Sequence, residues 1–232
     1  SDNVSTEQLG TTLDNVLVQA AIDLGTSNVY VGPGEWIYSS PIILRNDLKL
    51  TFSPESMTTP AIDSISLIET PDGSFTDISP VNTENCTVHG FRFKMDGREN
   101  CHGAKVGNFR DNTGFFNCFG ANDLNLVGPM DDRNNVGIEL NILCWNTDLQ
   151  NCYMRSGLNK SYSIRNGSNA VVIMNCKSNT ATTGIFIASE TLATENTNIV
   201  GGYYQRSVVN IKDRGEHTVY NGPYLERQSV AD

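Results

Sequence analysis

The chain has 232 residues, a formal net charge of −10, 38% hydrophobic and 18% charged residues, ample for one domain or a small cap plus one domain. The acidity excludes a reader of phosphate backbones, since basic pairs such as Arg45 with Lys49, or Arg92 with Lys94, are too sparse to offset it. No run of eighteen apolar residues occurs and the start, Ser1-Asp2-Asn3, lacks the basic-then-apolar layout of a secretory leader. No membrane insertion is therefore expected, and the sequence reads as a piece of a longer polypeptide.

Six cysteines (Cys86, Cys101, Cys118, Cys144, Cys152, Cys176) with only three histidines (His89, His102, His217) include no C-x-x-C pair. A chain this long does not need a disulfide scaffold, so these thiols read as small, reduced, buried hydrophobes; no metal site and no cofactor is implied.

Leu9, Leu13, Val16, Leu17, Ala20 and Leu24 fall on one face of a helix, which the spacing places at about Thr12 to Leu24, with Thr11 or Thr12 as cap and Gly25 as terminator. After Gly25 the texture changes to short β-branched and aromatic runs closed by Gly, Asn, Asp or Pro. In order these include Val29–Val31, Trp36–Tyr38, Ile42–Leu44, Leu48–Phe52, Ser64–Ile68, Phe91–Phe93, Gly137–Leu143, Ala170–Met174, Gly184–Ala188, Ile199–Tyr204 and Val208–Ile211. The remainder is all-β.

Five of the six cysteines follow an asparagine: Asn85-Cys86, Asn100-Cys101, Asn117-Cys118, Asn151-Cys152 and Asn175-Cys176. The last two are 24 residues apart, and Asp148–Cys152 can be laid over Val172–Cys176. The same slot continues at Asn198–Gly202 and His217–Gly222 and is sought earlier at Cys86–Gly90 and Leu124–Gly128. A solenoid coil needs a buried residue beside a tight corner, repeated at the same height of each rung. Asparagine tolerates the left-handed backbone of such corners and bonds to its neighbour one rung along. The fold expected is a right-handed, single-stranded parallel β-helix, residues 26–232, with residues 1–25 forming an N-terminal segment whose helix caps one end. An antiparallel sandwich with Asn-rich turns is the competing arrangement, because the period drifts. At about 24 residues a rung, roughly eight rungs are expected.

Residues 14–52 carry Asp14-Asn15-Val16-Leu17-Val18-Gln19-Ala20-Ala21-Ile22-Asp23, then Val29-Tyr30-Val31-Gly32-Pro33-Gly34-Glu35-Trp36-Ile37, then Pro41-Ile42-Ile43-Leu44. This resembles the opening of the pectate-lyase-like β-helix superfamily as it occurs in phage tailspikes and bacterial polysaccharide lyases; Gly32 stands where that pattern more often has a proline. The resemblance implies a homotrimer in the virion tail, beside other tail proteins, that attaches to host lipopolysaccharide or capsule and can cleave it as a glycoside hydrolase. A non-enzymatic virion segment and a secreted bacterial lyase or hydrolase are the alternatives.

Hydrolysis of a glycoside needs two carboxylates about 5 to 9.5 Å apart. The densest acidic stretch is Asp131-Asp132-Arg133, followed by Glu139 on the next strand, so Asp131, Asp132 and Glu139 are the candidate catalytic acids. Arg133 is suited to orient a carboxylate or an acidic sugar, and Trp145 with Tyr153 to stack on a pyranose. Of the adjacent Tyr203 and Tyr204 one must point outward, where it serves glycan binding or a subunit interface. His89 and His102, with no nucleophile beside them in sequence, read as surface or corner residues.

Overall fold

Alternation in each short strand sends one set of side chains inward, and left-handed residues at most of the corners turn the chain through to the next face. The computed structural model, which describes residues 13–70, 85–107, 119–126, 133–155, 158–190 and 192–226, shows this repeated from end to end. Its strands, β1 to β23 in chain order, pair only in parallel and form three sheets.

The first sheet holds β1 (Asn28–Val31), β4 (Lys49–Phe52), β7 (Cys86–His89), β10 (Phe119–Asn122), β13 (Trp145–Gln150), β16 (Asn169–Met174), β19 (Asn198–Val200) and β22 (Val219–Asn221). The second holds β2 (Gly34–Tyr38), β5 (Ser56–Pro60), β8 (Arg92–Phe93), β11 (Asn125–Leu126), β14 (Tyr153–Arg155), β17 (Lys177–Asn179), β20 (Tyr203–Gln205) and β23 (Tyr224–Glu226). The third holds β3 (Ile42–Ile43), β6 (Ser66–Glu69), β9 (His102–Gly107), β12 (Val136–Ile142), β15 (Lys160–Arg165), β18 (Thr183–Ala188) and β21 (Val209–Arg214). Each sheet takes every third strand, which a sandwich does not do. The protein is a parallel β-helix of about seven turns, one fewer than the rung count expected from a fixed period.

The core is the inside of this triangular coil, where like stacks on like. Ile68, Ala104, Ile138, Tyr162, Ile185 and Ile211 form one column in the third sheet, and Phe93, Leu126, Met154, Ser178 and Tyr204 one in the second. The buried Tyr162 hydroxyl lies 2.8 Å from the carbonyl oxygens of both Cys152 and Lys177, so its polar end is satisfied across rungs.

The corner between the first and second sheets is the most regular. Gly90, Asp123, Asn151, Asn175, Gly201 and Gly222 all have positive φ there, and the amide of each of the first five bonds to the rung above. The expected overlay of Asp148–Cys152 on Val172–Cys176 is the observed register, and Asn198–Gly202 and His217–Gly222 continue it. Leu124–Gly128 does not belong there: Asn125 and Leu126 lie in the second sheet beside Tyr153 and Met154. Asn85-Cys86 and Asn100-Cys101 mark the other two corners, so the motif signals a corner without saying which. Cys86, Cys101, Cys144, Cys152 and Cys176 are buried and not joined in disulfides, as their reading as core hydrophobes requires; Cys118 lies outside the described residues.

The one α-helix among the described residues, α1, spans Asn15–Asp23. It starts later than expected because Asp14, not a threonine, is the cap, its carboxylate accepting the Leu17 amide at 3.2 Å. Val18, Ala21 and Ile22 bury themselves against the first rung. Asn15 and Gln19 each accept a backbone amide of that rung, from Ser39 at 3.0 Å and Ile43 at 2.7 Å. Sheet edges that would otherwise be open are thereby covered. Among the described residues no helix is long and apolar enough to cross a membrane.

Candidate functional site

In β12 the core takes Ile138 and Leu140, so Glu139 between them points away from it. An outward carboxylate on a solenoid is normally solvated, yet the Glu139 side chain is only 6% exposed. Its column on the outer face of the third sheet runs Glu69, Lys105, Glu139, Ser163, Phe186, Lys212, each beside the next in register. Arg165 Nη1 lies 3.7 Å from Glu139 Oε2, and His102 Nε2 lies 3.9 Å from the same oxygen. Arg165 also pairs with Glu190, and Lys160 sits over the Phe186 ring at 4.5 Å. Lys105, Lys160, Arg165 and Lys212 thus outnumber Glu69, Glu139 and Glu190 on one face of a chain whose net charge is −10.

Burial is the main cause that lowers the His102 pKa from its ordinary value; Glu139 opposes this, while Lys105, Lys160 and Arg165 reinforce it. The imidazole is therefore neutral at neutral pH, with a nitrogen lone pair available to take a proton. Ser163 Oγ and Arg165 Nε, next to Glu139, are buried without a hydrogen-bond partner among the described residues. Unpaired polar atoms beside an enclosed carboxylate are costly for stability alone, and they set this cluster apart from an ordinary solvated surface carboxylate.

Of the residues singled out by sequence, Glu139 lies at this cluster. Asp131 and Asp132 fall outside the described residues. Arg133 is occupied by Glu99 at 3.6 Å and by the Gly97 carbonyl at 2.7 Å on the rung below, and the arginine that meets Glu139 is Arg165. Trp145 packs against the core, its indole N–H donating to the Gly167 carbonyl at 2.9 Å. Tyr153 and Tyr203 share a groove on the second sheet that Trp145 does not line. Tyr204 points inward and Tyr203 outward, as alternation demands. His102 is neither a surface nor a corner residue without company. Its pairing with Glu139 depends on a register across rungs of unequal length, which no local motif announces.

No family model matches the chain, and no curated protein matches it in sequence. Among solved structures it is similar to the GH82 iota-carrageenase of A. fortis, with a TM-score of 0.59 and 12% identity over 88% of this chain and 52% of that one. It is also similar to the A-module of the mannuronan C-5 epimerase AlgE6 of Azotobacter vinelandii, with a TM-score of 0.52 and 18% identity over 94% of this chain and 72% of that module. The chain spans about half the length of the carrageenase. At such identities the likeness is one of fold, and the fold it establishes is the parallel β-helix shared by these polysaccharide-processing enzymes.

Proposed function

We propose that the protein binds and cleaves an acidic bacterial surface polysaccharide on the outer face of the third sheet, with Glu139, His102 and Arg165 as its reaction centre. The observation that carries this reading is the enclosure of an outward carboxylate among ionisable groups beside two unpaired polar atoms. Glycoside hydrolysis is the reaction class. Glu139 serves as base with His102 orienting it, and Glu69 in the same column supplies the second carboxylate. Two strand spacings separate Glu69 from Glu139, about 10 Å between their backbones, which leaves room for a water held between acid and base as in an inverting mechanism. Lys105 and Arg165 face an acidic substituent on the sugar. The opening motif over residues 14–52 supports placing the protein in a phage tail as a homotrimer that attaches to its host through this glycan.

The test is light-scattering chromatography of capsular and lipopolysaccharide glycans before and after incubation with the protein. The wild type is expected to run as a trimer and to shift one glycan to smaller size, and Glu139→Gln to slow that shift by about 100-fold or more. Products that absorb as unsaturated uronates would replace hydrolysis by elimination. Unimpaired cleavage by the Glu139→Gln protein would overturn the centre.

A further inference from the structure

Away from the third sheet, a groove of about 570 Å³ runs along the edge between the first and second sheets. We propose that it is a second, non-catalytic polysaccharide-binding site, which takes an acidic pyranose chain laid parallel to the solenoid axis. It shares with the preceding reading only the class of ligand.

The groove is built by register. Asn125, Tyr153, Lys177 and Tyr203 occupy one position on successive rungs, so two aromatic rings flank one ammonium, with roughly 4.8 Å per step. That step is close to the advance per sugar of an extended pyranose chain, so one residue of glycan meets one residue of protein. Beside this column runs the left-handed corner, which contributes the exposed amides of Asn151 and Asn175. At the next rung the groove is lined by Gly202, which carries no side chain into it.

Rings with a hydrophobic face beside amides that donate and accept are the combination a sugar needs, since its C–H face stacks and its hydroxyls bond. Among the described residues neither the Tyr153 hydroxyl nor Lys177 Nζ has a hydrogen-bond or ion-pair partner, so both are available. Tyr203 is held in place: its ring stacks on Tyr224 at 4.7 Å between centroids and its hydroxyl donates to Glu226. That hydrogen bond is the main reason its pKa is pushed up to about 12, so the phenol keeps its proton at any working pH. Asp123 also lines the groove, at its far end, where its carboxylate accepts the Asn125 amide at 2.7 Å; Lys177 in the middle of the column and the exposed Arg155, two positions beyond Tyr153 on β14, place the positive charge where an anionic chain would cross.

The experiment is affinity electrophoresis through gels containing polymannuronate, hyaluronan or extracted capsular polysaccharide, with dextran as the neutral control and Glu139→Gln as the background. Retardation by at least one acidic glycan is expected, weakened about tenfold by Tyr153→Ala and more by Lys177→Glu. The exposed Lys177 position keeps the second variant folded, which its melting temperature checks. In the wild-type background, cleavage of oligosaccharides too short to reach both sites is expected to proceed unchanged in either variant. Equal retardation of both variants and the parent, or none by any acidic glycan, would overturn the proposal. Loss of retardation in Lys177→Glu alongside unimpaired cleavage by Glu139→Gln would refute the reaction centre and leave this site standing.

Discussion

Glu139 and His102 define each other electrostatically, and the sign of that coupling is measurable. Burial outweighs the attraction of Glu139, so His102 is expected to titrate below the ordinary histidine value of about 6.5. With only three histidines in the chain, proton NMR resolves it directly. Removing the one neighbour that favours the imidazolium, by Glu139→Gln, lowers the value further, and a rise would refute the assigned balance. Linkage then follows. As pH falls through the ordinary value the unfolded chain takes up its proton first, so His102 favours the folded state above that pH. This contribution is lost progressively as pH drops toward the folded-state pKa. His102→Asn is expected to flatten the stability profile in that window, as read by melting temperature against pH. At this scale the sequence shows that Glu139 alternates with Ile138 and Leu140 and so faces outward. It does not show that His102 and Arg165 come to the same place, because both arrive through register.

At the scale of the strand and its corner, the Asn-Cys recurrence is legible because it reports two local demands at once, a left-handed residue and a buried small one behind it. Asn175 has φ +52 and Gly201, one rung along, has φ +60. The chain therefore already uses glycine at this position, and Asn175→Gly is expected to be tolerated to within about 1 kcal/mol. Asn175→Val, β-branched at positive φ, is expected to cost about 1–2 kcal/mol or more in urea unfolding. Equal stability of the two variants would mean the corner conformation is not what selects asparagine. Strands such as β15, Lys-Ser-Tyr-Ser-Ile-Arg, escaped recognition for a related reason. Ser161 packs against another rung, its Oγ lying 2.7 Å from Ser178 Oγ, and Ser163 is buried as well, so a polar composition hides a buried strand. The run Ile199–Tyr204, which looks like one strand, is two strands on different sheets joined by Gly201-Gly202.

Over the whole molecule the two ends of the coil differ. At the N-terminal end α1 lies across the first rung, the Ile37 amide bonds to the Leu13 carbonyl at 2.9 Å, and Ile22 is 1% exposed. At the other end β21, β22 and β23 each pair with a single neighbour. Tyr220 and Leu225, which continue the inward columns of Ile199 and Tyr204, are 44% and 50% exposed. In a solenoid each rung is stabilised by its neighbours, so opening begins where, among the described residues, one neighbour is missing and no element packs across the end. Backbone amides of residues 209–226 are therefore expected to exchange with deuterium before those of residues 28–52. The middle rungs, β12 to β16, are expected to exchange last. The Ile22→Ala variant, which removes core contacts from α1 at a cost of about 2–5 kcal/mol, should erase the advantage of the first rung while leaving the last unchanged. Faster exchange at residues 28–52 than at 209–226 in the unaltered chain would mean that α1 rests on the solenoid without sealing it, and that the asymmetry between the ends lies elsewhere.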